Sequence, residues 1–166
     1  MPKQLSDERV ALVRLTAAPE DPAAITVTEF DAGERFECRV ETFRASPVAS
    51  DTVNGGEFCR AINAVVPTRS NFEASMVVYR YLTEEGLADA TNDVAFEAVR
   101  ERGTVHHFVV RKGPKHDEAG AAGQEYSYFE VINDHPQDPA DWGGFLRSEV
   151  TLYVQRAELN KELVTA

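Results

Sequence analysis

The chain has few of the features that identify disulfide-rich, metal-binding and membrane proteins. Its two cysteines, Cys38 and Cys59, are far apart and form no Cys-x-x-Cys pair, which favours free thiols over a disulfide framework or a zinc knot. No apolar run approaches the roughly 18 residues needed to span a bilayer. The first ten residues lack the apolar core of a signal peptide. We therefore expect no membrane contact and a protein that stays in the compartment where it is made.

Basic residues are also scarce. Lysine and arginine total 17 against 28 aspartates and glutamates, so the formal net charge is −11. Direct nucleic-acid binding needs cations that displace counterions from the phosphates, and this balance argues against it. The charge fits a solubility role, a basic partner or a surface that must not adhere to DNA. Composition does not choose among these three.

Catalytic and metal-binding signatures are missing from the sequence. There is no HExxH or GxSxG motif and no recognisable Ser-His-Asp set. His106 and His107 are adjacent, so on a strand they point to opposite faces and do not easily share one metal ion. His116 and His135 lie in polar loops. We predict no catalytic residues, no metal site and no cofactor; the enzymatic alternative is hydrolysis through His106 or His107 and an acid.

Alternation of apolar and polar residues predicts a mainly β protein. The predicted strands are residues 9–16, 25–30, 35–44, 72–82, 104–113, 126–133 and 145–156. One helix is predicted at about residues 92–102, capped by Thr91 or Asn92 and ended by Gly103. We expect one domain over residues 1–166, a β-sandwich or barrel of two packed sheets flanked by this helix. Residues 1–24 are expected to form a flexible arm and residues 157–166 a loose tail.

The aromatic residues allow two interpretations. They could stack single-stranded nucleic acid, or they could serve core packing or a subunit contact: Tyr79, Tyr81, Tyr126, Tyr128 and Phe129. No basic groove accompanies them, which favours packing. Trp142 lies in a Gly-rich turn and is predicted to pack at the end of the barrel.

The stretch SDTVNGGEFC (50–59) looks at first like a phosphate-binding loop. Such a loop needs Lys-Ser or Lys-Thr after its last glycine, but Gly56 is followed by Glu57. We interpret residues 50–56 as a connecting loop shaped by Asn54, Gly55 and Gly56, since glycine permits positive φ.

Several segments in order resemble the major tail tube proteins of long-tailed bacteriophages, especially those of actinobacterial hosts. The matching segments are TEFDAG, RFECRV, SDTVNGGEFC, NFEASMVVYRY, NDVAFEAVRERGTVHHFVVRKG and FLRSEVTLYV. The resemblance covers roughly residues 25–156 and rests on order and spacing more than on any one motif. The His106-His107 pair and the long loop HPQDPADWGG depart from the family pattern.

This resemblance implies a structural virion protein with no catalysis. Six copies would close into a ring, and stacked rings would form a tube that passes double-stranded DNA without binding it specifically. The implied partners are further copies of the chain, a tape-measure protein and other tail proteins. The implied location is the virion tail, after assembly in the cytoplasm of the host bacterium. The alternatives are a tube terminator, the inner tube of a contractile tail, or a small-ligand-binding β-barrel.

The acidic charge then acquires a function, because an acidic lumen would repel the DNA phosphates and let the genome slide. Candidate lumen-facing acids, chosen from the exposed faces of predicted strands, are Glu37, Glu41, Glu73 and Glu149. The candidate contact loop between subunits or rings comprises Ser50, Asp51, Thr52, Val53, Asn54, Gly55 and Gly56.

Overall fold

The computed structural model describes residues 8–55 and 64–165, and the protein is mainly β, as predicted. Its strands are β1 (Val10–Leu15), β2 (Glu34–Arg35), β3 (Val40–Val48), β4 (Thr52–Gly55), β5 (Ala64–Pro67), β6 (Asn71–Tyr79), β7 (Val105–Lys112), β8 (Glu125–Asn133) and β9 (Arg147–Glu162). The helices are α1 (Val27–Asp31) and α2 (Val94–Val99). The predicted helix is confirmed as α2, and Gly103 follows it at φ +85°.

Seven strands form one sheet in the order β2-β1-β7-β8-β9-β6-β3, and neighbouring strands are antiparallel throughout. The sheet curls into a half-barrel. In a flat sheet β3 and β7, four strand spacings apart, would be separated by about 19 Å. Yet the rings of Phe43 on β3 and Phe108 on β7 lie with their centroids 5.3 Å apart. The second sheet is the small β4–β5 pair.

The concave side of the half-barrel holds the larger core. Alternate residues of β6, β9 and β8 point into it together with Leu12, Phe36 and Phe108, and α2 adds Ala95 and Val99. These side chains are at most 7% exposed, and they fill the space in which a ligand-binding barrel would have its cavity.

A second core lies on the convex side of β1, β7 and β8. Phe30 of α1 packs there with Val13, Val109 and Tyr128. We predicted a strand over residues 25–30, and the structure shows instead that Thr26 and Glu29 form a capping box that begins a helix. The alternation of apolar and polar residues in ITVTEF (25–30) therefore marks the start of a helix rather than a strand. Phe30 is the fully buried residue of α1.

The chain ends also differ from the sequence-based expectation. Residues 10–15, within the expected flexible arm, form β1 between β2 and β7, and Ala11 and Val13 are fully buried. Residues 157–162, within the expected loose tail, belong to β9, and Leu163 packs into the second core. Strand β1 is held in place by pairing with β7, which lies about 100 positions away in the sequence. The local sequence pattern of residues 10–15 does not indicate this partner.

Candidate assembly surface

The convex side of β3, β6 and β9 is uncovered in the part of the chain that the structure describes. In β6 the buried residues Ala74, Met76 and Val78 alternate with residues that face outward. We call the outward set of these strands the open face: Glu41, Thr42, Arg44, Glu73, Ser75, Val77, Tyr79, Arg147, Glu149, Thr151 and Tyr153. Three of the four candidate lumen acids, Glu41, Glu73 and Glu149, lie on it.

The charges of the open face are partly paired. Glu41 lies 3.6 Å from Arg147, and Glu73 lies 3.7 Å from Arg44. Among the described residues Glu149 has no ion-pair partner. The open face has three carboxylates and two guanidinium groups, so it carries one net negative charge per chain. Exposed pairs of this kind stabilise the fold by less than about 1 kcal/mol, so the stability of the fold depends little on these side chains.

Glu37 lies elsewhere. We predicted one strand over residues 35–44, but the chain turns after β2 and β3 begins only at Val40. The Glu37 side chain is 11% exposed and accepts a hydrogen bond from the backbone N–H of Leu12 at 3.3 Å. Its other oxygen lies 3.4 Å from Nδ1 of His116. The Glu37 carboxylate therefore connects the turn between β2 and β3 to β1, and most of it is shielded from solvent.

The candidate contact loop is an exposed hairpin. Residues 52–55 form β4 and pair with β5, with Val53 opposite Val66. Val53, Val65 and Val66 are 57%, 58% and 56% exposed. Ser50 and Asp51 precede the hairpin, and Gly56 lies outside the described residues. At its base the Asp51 carbonyl accepts from Thr68 N–H at 2.7 Å and the Asp51 carboxylate from the Asn71 amide at 3.0 Å.

Strand β3 forms one end of the seven-stranded sheet. Among residues 8–55 and 64–165 its strand partner is β6 alone, so within these residues one row of its backbone N–H and C=O groups faces away from the sheet over nine residues. An edge of this length is a template for pairing with another chain.

An apolar groove lies at the opposite end of the same strands from the hairpin. It is lined by Tyr79, Arg80, Tyr81, Leu82, Gly144, Phe145 and Leu146 and has a volume of about 500 Å³. Phe145 is 79% exposed and makes an edge-on contact with Tyr79, with ring centroids 6.0 Å apart. Trp142, predicted to pack at the barrel end, is 63% exposed. The sequence signal was the apolar pair Phe145-Leu146 directly after two glycines.

A buried carboxylate holds one wall of this groove. Asp93, 1% exposed, accepts hydrogen bonds from the Arg80 guanidinium at 3.1–3.3 Å and from the Tyr81 N–H at 2.9 Å. The same guanidinium lies 3.6 Å from the ring centroid of Phe96. The end of β6 is thereby fastened to the start of α2.

His106 and His107 pack against aromatic residues of the two cores, whereas His116 is half-buried and His135 is exposed. His106 is 2% exposed, and burial lowers its pKa to about 4. His107 faces the other side of β7, 2.8 Å from the Tyr128 hydroxyl, and burial lowers its pKa also. Tyr126 and Tyr128 are buried. The described residues contain no group of three or more His, Cys, Asp or Glu side chains placed to hold a metal ion.

The uncovered sheet face, the edge strand β3 and the exposed apolar groove are surfaces to which another molecule could bind, and the sequence has a recognisable family. The sequence model of a family described as "Phage tail tube protein" matches residues 1–166. The chain belongs to the phage tail tube protein family. This is a family of structural proteins rather than enzymes, and it places the chain in the phage tail.

The fold has a relative among solved structures. A chain in the "Cryo-EM structure of the anti-feeding prophage (AFP) baseplate, 6-fold symmetrised" superposes with a TM-score of 0.52 at 13% identity, over 95% of this chain and 96% of that one. No curated protein matches the sequence. Within residues 8–55 and 64–165, no helix is long and apolar enough to cross a membrane.

Proposed function

We propose that this tail tube protein is the repeating subunit of a long-tailed phage's tube, in which six copies form a ring and stacked rings form the conduit for double-stranded DNA. The open face, bounded by the free edge of β3, is the observation that carries this proposal. A sheet with an uncovered face and, at one of its two ends, a nine-residue edge strand that has no second partner among the described residues is suited to continue into a neighbouring copy. The order of sequence motifs supports the long-tailed type, and assembly would take place in the host cytoplasm.

Ring closure requires favourable contacts to offset charge repulsion. Each chain carries a net charge of −11, so copies repel one another at low ionic strength. Backbone pairing along β3 and burial of exposed apolar side chains would supply the opposing free energy. A ring of six is supported by the fold relative, which comes from an assembly symmetrised six-fold.

Electron microscopy of the concentrated protein tests the tube. Negative-stain images should show hollow tubes or rings, with six-fold symmetry in end-on class averages. Higher salt should promote assembly because it screens the acidic subunits. A protein that stays monomeric at high concentration and high salt would contradict the proposal.

The open face is proposed to line the lumen. Glu41, Glu73 and Glu149 outnumber its two arginines, so the face repels phosphates weakly, whereas a cationic lining would hold DNA at a dissociation constant of about 10⁻⁴ to 10⁻⁶ M. Glu37 is left out of this set because its carboxylate is engaged in the β2–β3 turn. A tape-measure protein and other tail proteins are the remaining partners of the proposal.

Charge reversal on the open face tests the lumen. The double variant Glu73→Lys with Glu149→Lys should assemble normally, since both side chains are exposed, and should slow or block DNA ejection. Glu20→Lys with Glu101→Lys changes the charge equally at exposed positions off this face and should leave ejection unchanged. Normal ejection by phage carrying the first variant would show that the open face does not line the channel.

A second candidate is a component of the tube end, such as a terminator, or the inner tube of a contractile tail. The fold relative belongs to a baseplate, which favours a position near one end of the tail. A terminator would form single rings that stop tube growth, whereas a tube subunit would form long polymers. The length distribution in the same micrographs separates the two.

A further inference from the structure

The connection between β7 and β8 lies over the second core. We call this connection, residues 113–124 (GPKHDEAGAAGQ), the strap. Its glycines and alanines give the backbone much conformational freedom to lose when it becomes ordered. Nevertheless the strap lies directly on α1, where the N–H of Gly120 donates to the Asp31 carboxylate at 2.8 Å. A Cβ at Gly120 would lie 3.0 Å from Cδ1 of Phe30, so the close approach depends on glycine.

One buried side chain makes most of the polar contacts between the sheet and the strap. Arg111, the last residue but one of β7, is 0% exposed. Its Nη1 donates to the carbonyls of Glu118 and Ala119 at 3.0 and 3.1 Å. The same atom donates to Oε1 of Gln124 at 3.2 Å, and Nη2 donates to the Lys115 carbonyl at 2.6 Å. All four acceptors belong to the strap. Among the described residues, Nε is the one guanidinium nitrogen of Arg111 without a partner.

The positive charge of Arg111 is stabilised by neutral groups. Within residues 8–55 and 64–165, its hydrogen-bond acceptors are carbonyl and amide oxygens and include no carboxylate. Burial lowers the pKa of Arg111, and the nearby Arg35 lowers it further, but a guanidinium in a protein remains protonated. A buried charge is very costly unless polar groups surround it. The carbonyl dipoles of the strap therefore surround Arg111 as ligands surround a cation, and the Phe30 ring, 5.0 Å from Cζ, adds a cation–π contact.

We propose that the strap is a binding site for a guanidinium group and that Arg111 is its built-in ligand. A guanidinium suits the site because it is planar and presents its donors in a fixed fork, which here reaches acceptors at both ends of the strap. The group stays charged at any physiological pH, and its burial protects it from screening by salt. The strap is thus expected to stay closed over a wide range of pH and salt. The site lies within one chain and does not depend on the proposed tube.

Other contacts hold the acceptors in place without the help of Arg111. The Arg35 guanidinium donates to the His116 carbonyl at 2.8 Å. Near the other end of the strap, the N–H of Gly123 donates to the Leu163 carbonyl, also at 2.8 Å. Removal of the Arg111 side chain should therefore leave a carbonyl-lined cavity with the shape of a guanidinium. A free guanidinium ion should bind in that cavity.

Cleavage by a lysine-specific protease after Lys115 measures the opening of the strap. The carbonyl of the cleaved bond is the one that accepts from Arg111. The N–H of the same bond, from His116, donates to the Glu8 carbonyl at 2.8 Å. Both hydrogen bonds must break before the bond can enter a protease, so the rate of cleavage reports the open population. Mass spectrometry identifies the two fragments, 1–115 and 116–166.

Substitution of Arg111 should open the strap. In Arg111→Ala, cleavage after Lys115 should be about ten- to a hundredfold faster than in the parent chain, because hydrogen bonds to a charged group are lost. Arg111→Lys keeps the charge but loses the fork, and its rate should lie between the two, at least about threefold above the parent. Arg100→Ala is the matched control, since Arg100 is exposed and pairs with Glu97 on α2. It should be cleaved like the parent.

Free guanidinium distinguishes a binding site from an arginine that only fills space. At about 50 mM, far below the molar range in which it unfolds proteins, guanidinium chloride should slow the cleavage of Arg111→Ala at least about threefold. This protection corresponds to a dissociation constant of about 25 mM or lower. Urea, which is planar but uncharged, and potassium chloride should give no protection at the same concentration. Each rate is divided by that of a short lysine peptide in the same solution, which removes effects on the protease.

The results decide the inference without reference to tubes, because the assay uses dilute protein. Parent-like cleavage of Arg111→Ala would show that the strap closes without the guanidinium, and the inference would fail. Faster cleavage that guanidinium does not slow, or that potassium or urea slows equally, would also overturn it. If Arg111→Ala does not fold, Arg111→Lys decides, and cleavage at the parent rate in that variant would reject the site.

Discussion

Replacement of Asp93 by asparagine is the sharpest test of how the groove end of the fold is held. The Asp93 side chain is fully buried and accepts three hydrogen bonds from the Arg80 guanidinium and one from Tyr81 N–H. In Asp93→Asn the amide oxygen can replace one acceptor, but the amide NH₂ would face the guanidinium donors. The Arg80 charge, 24% exposed, would lose its counter-ion.

The magnitude follows from this partial exposure. Breaking a fully buried ion pair by removing one charge costs about 3–5 kcal/mol. Arg80 keeps some water and its contact with Phe96, so we expect Asp93→Asn to lower the free energy of unfolding by about 2–4 kcal/mol. For a chain of this length each kcal/mol corresponds to about 2–4 °C in Tm. The Tm should therefore fall by roughly 5–15 °C.

Urea and thermal unfolding of the dilute protein, followed by circular dichroism, measure this effect. Glu97→Gln is the matched control on the same helix, because Glu97 is exposed and its ion-pair partner among the described residues is Arg100 at 3.3 Å. It should change the free energy of unfolding by less than about 0.5 kcal/mol. If Asp93→Asn is as stable as this control, the reasoning that the buried pair fastens β6 to α2 is refuted.

Two further predictions concern the cores. His106 has a folded-state pKa of about 4 because of burial, so the unfolded chain takes up its proton first and stability falls as the pH drops from 6.5 towards 4. His106→Phe should reduce the loss of unfolding free energy between pH 7 and pH 5 by about 2 kcal/mol, as measured by urea titration, and an unchanged loss would contradict this. Gly33→Ala should destabilise by about 1–3 kcal/mol, because a Cβ there would overlap Cγ1 of Val13 and lie 3.0 Å from the Arg14 carbonyl. Parent-like stability in a thermal melt would show that the turn between α1 and β2 relaxes freely.

Local patterns predicted the elements whose burial follows from their own sequence. In β6 the alternation of Glu73, Ala74, Ser75 and Met76 matches the observed faces residue by residue. The helix α2 also lies where its apolar stripe and Gly103 place it. These predictions succeed because one face of each element packs on a core and the other meets solvent.

The predictions that differed from the structure depended on partners far away in sequence. The segment VALVRL gave no sign that β7 would bury it, and two prolines after it suggested an arm. The alternation of residues 35–44 predicted one strand, but Phe36 turns into the core and the strand restarts at Val40. A capping box, Thr26 with Glu29, was the local signal for α1 that the alternation concealed.

The apolar pair Phe145-Leu146 marks one side of the groove in the sequence, but the groove itself could not be predicted because it forms where two strand ends meet. Tyr79 and Phe145 are 66 positions apart, and only the pairing of Tyr79 with Arg147 brings their rings together. The open face has the same origin, since Glu41, Glu73 and Glu149 come from three strands. Each acid was predicted to be exposed, and the sheet order determines that these three share a surface while Glu37 does not.

Strand β6 shows how one sheet can serve both stability and assembly. Its inward residues Ala74, Met76 and Val78 fill the core, so changes there act on the free energy of unfolding. Its outward residues Glu73, Ser75 and Val77 are not part of either core, and changes there are expected to alter the charge and shape of the open face with little effect on the free energy of unfolding. Because the side-chain period of a strand is two, a one-residue slip in the pairing with β9 would exchange the two sets. The buried methionine and valine therefore fix the register that presents the open face, and core packing determines which charged side chains that face displays.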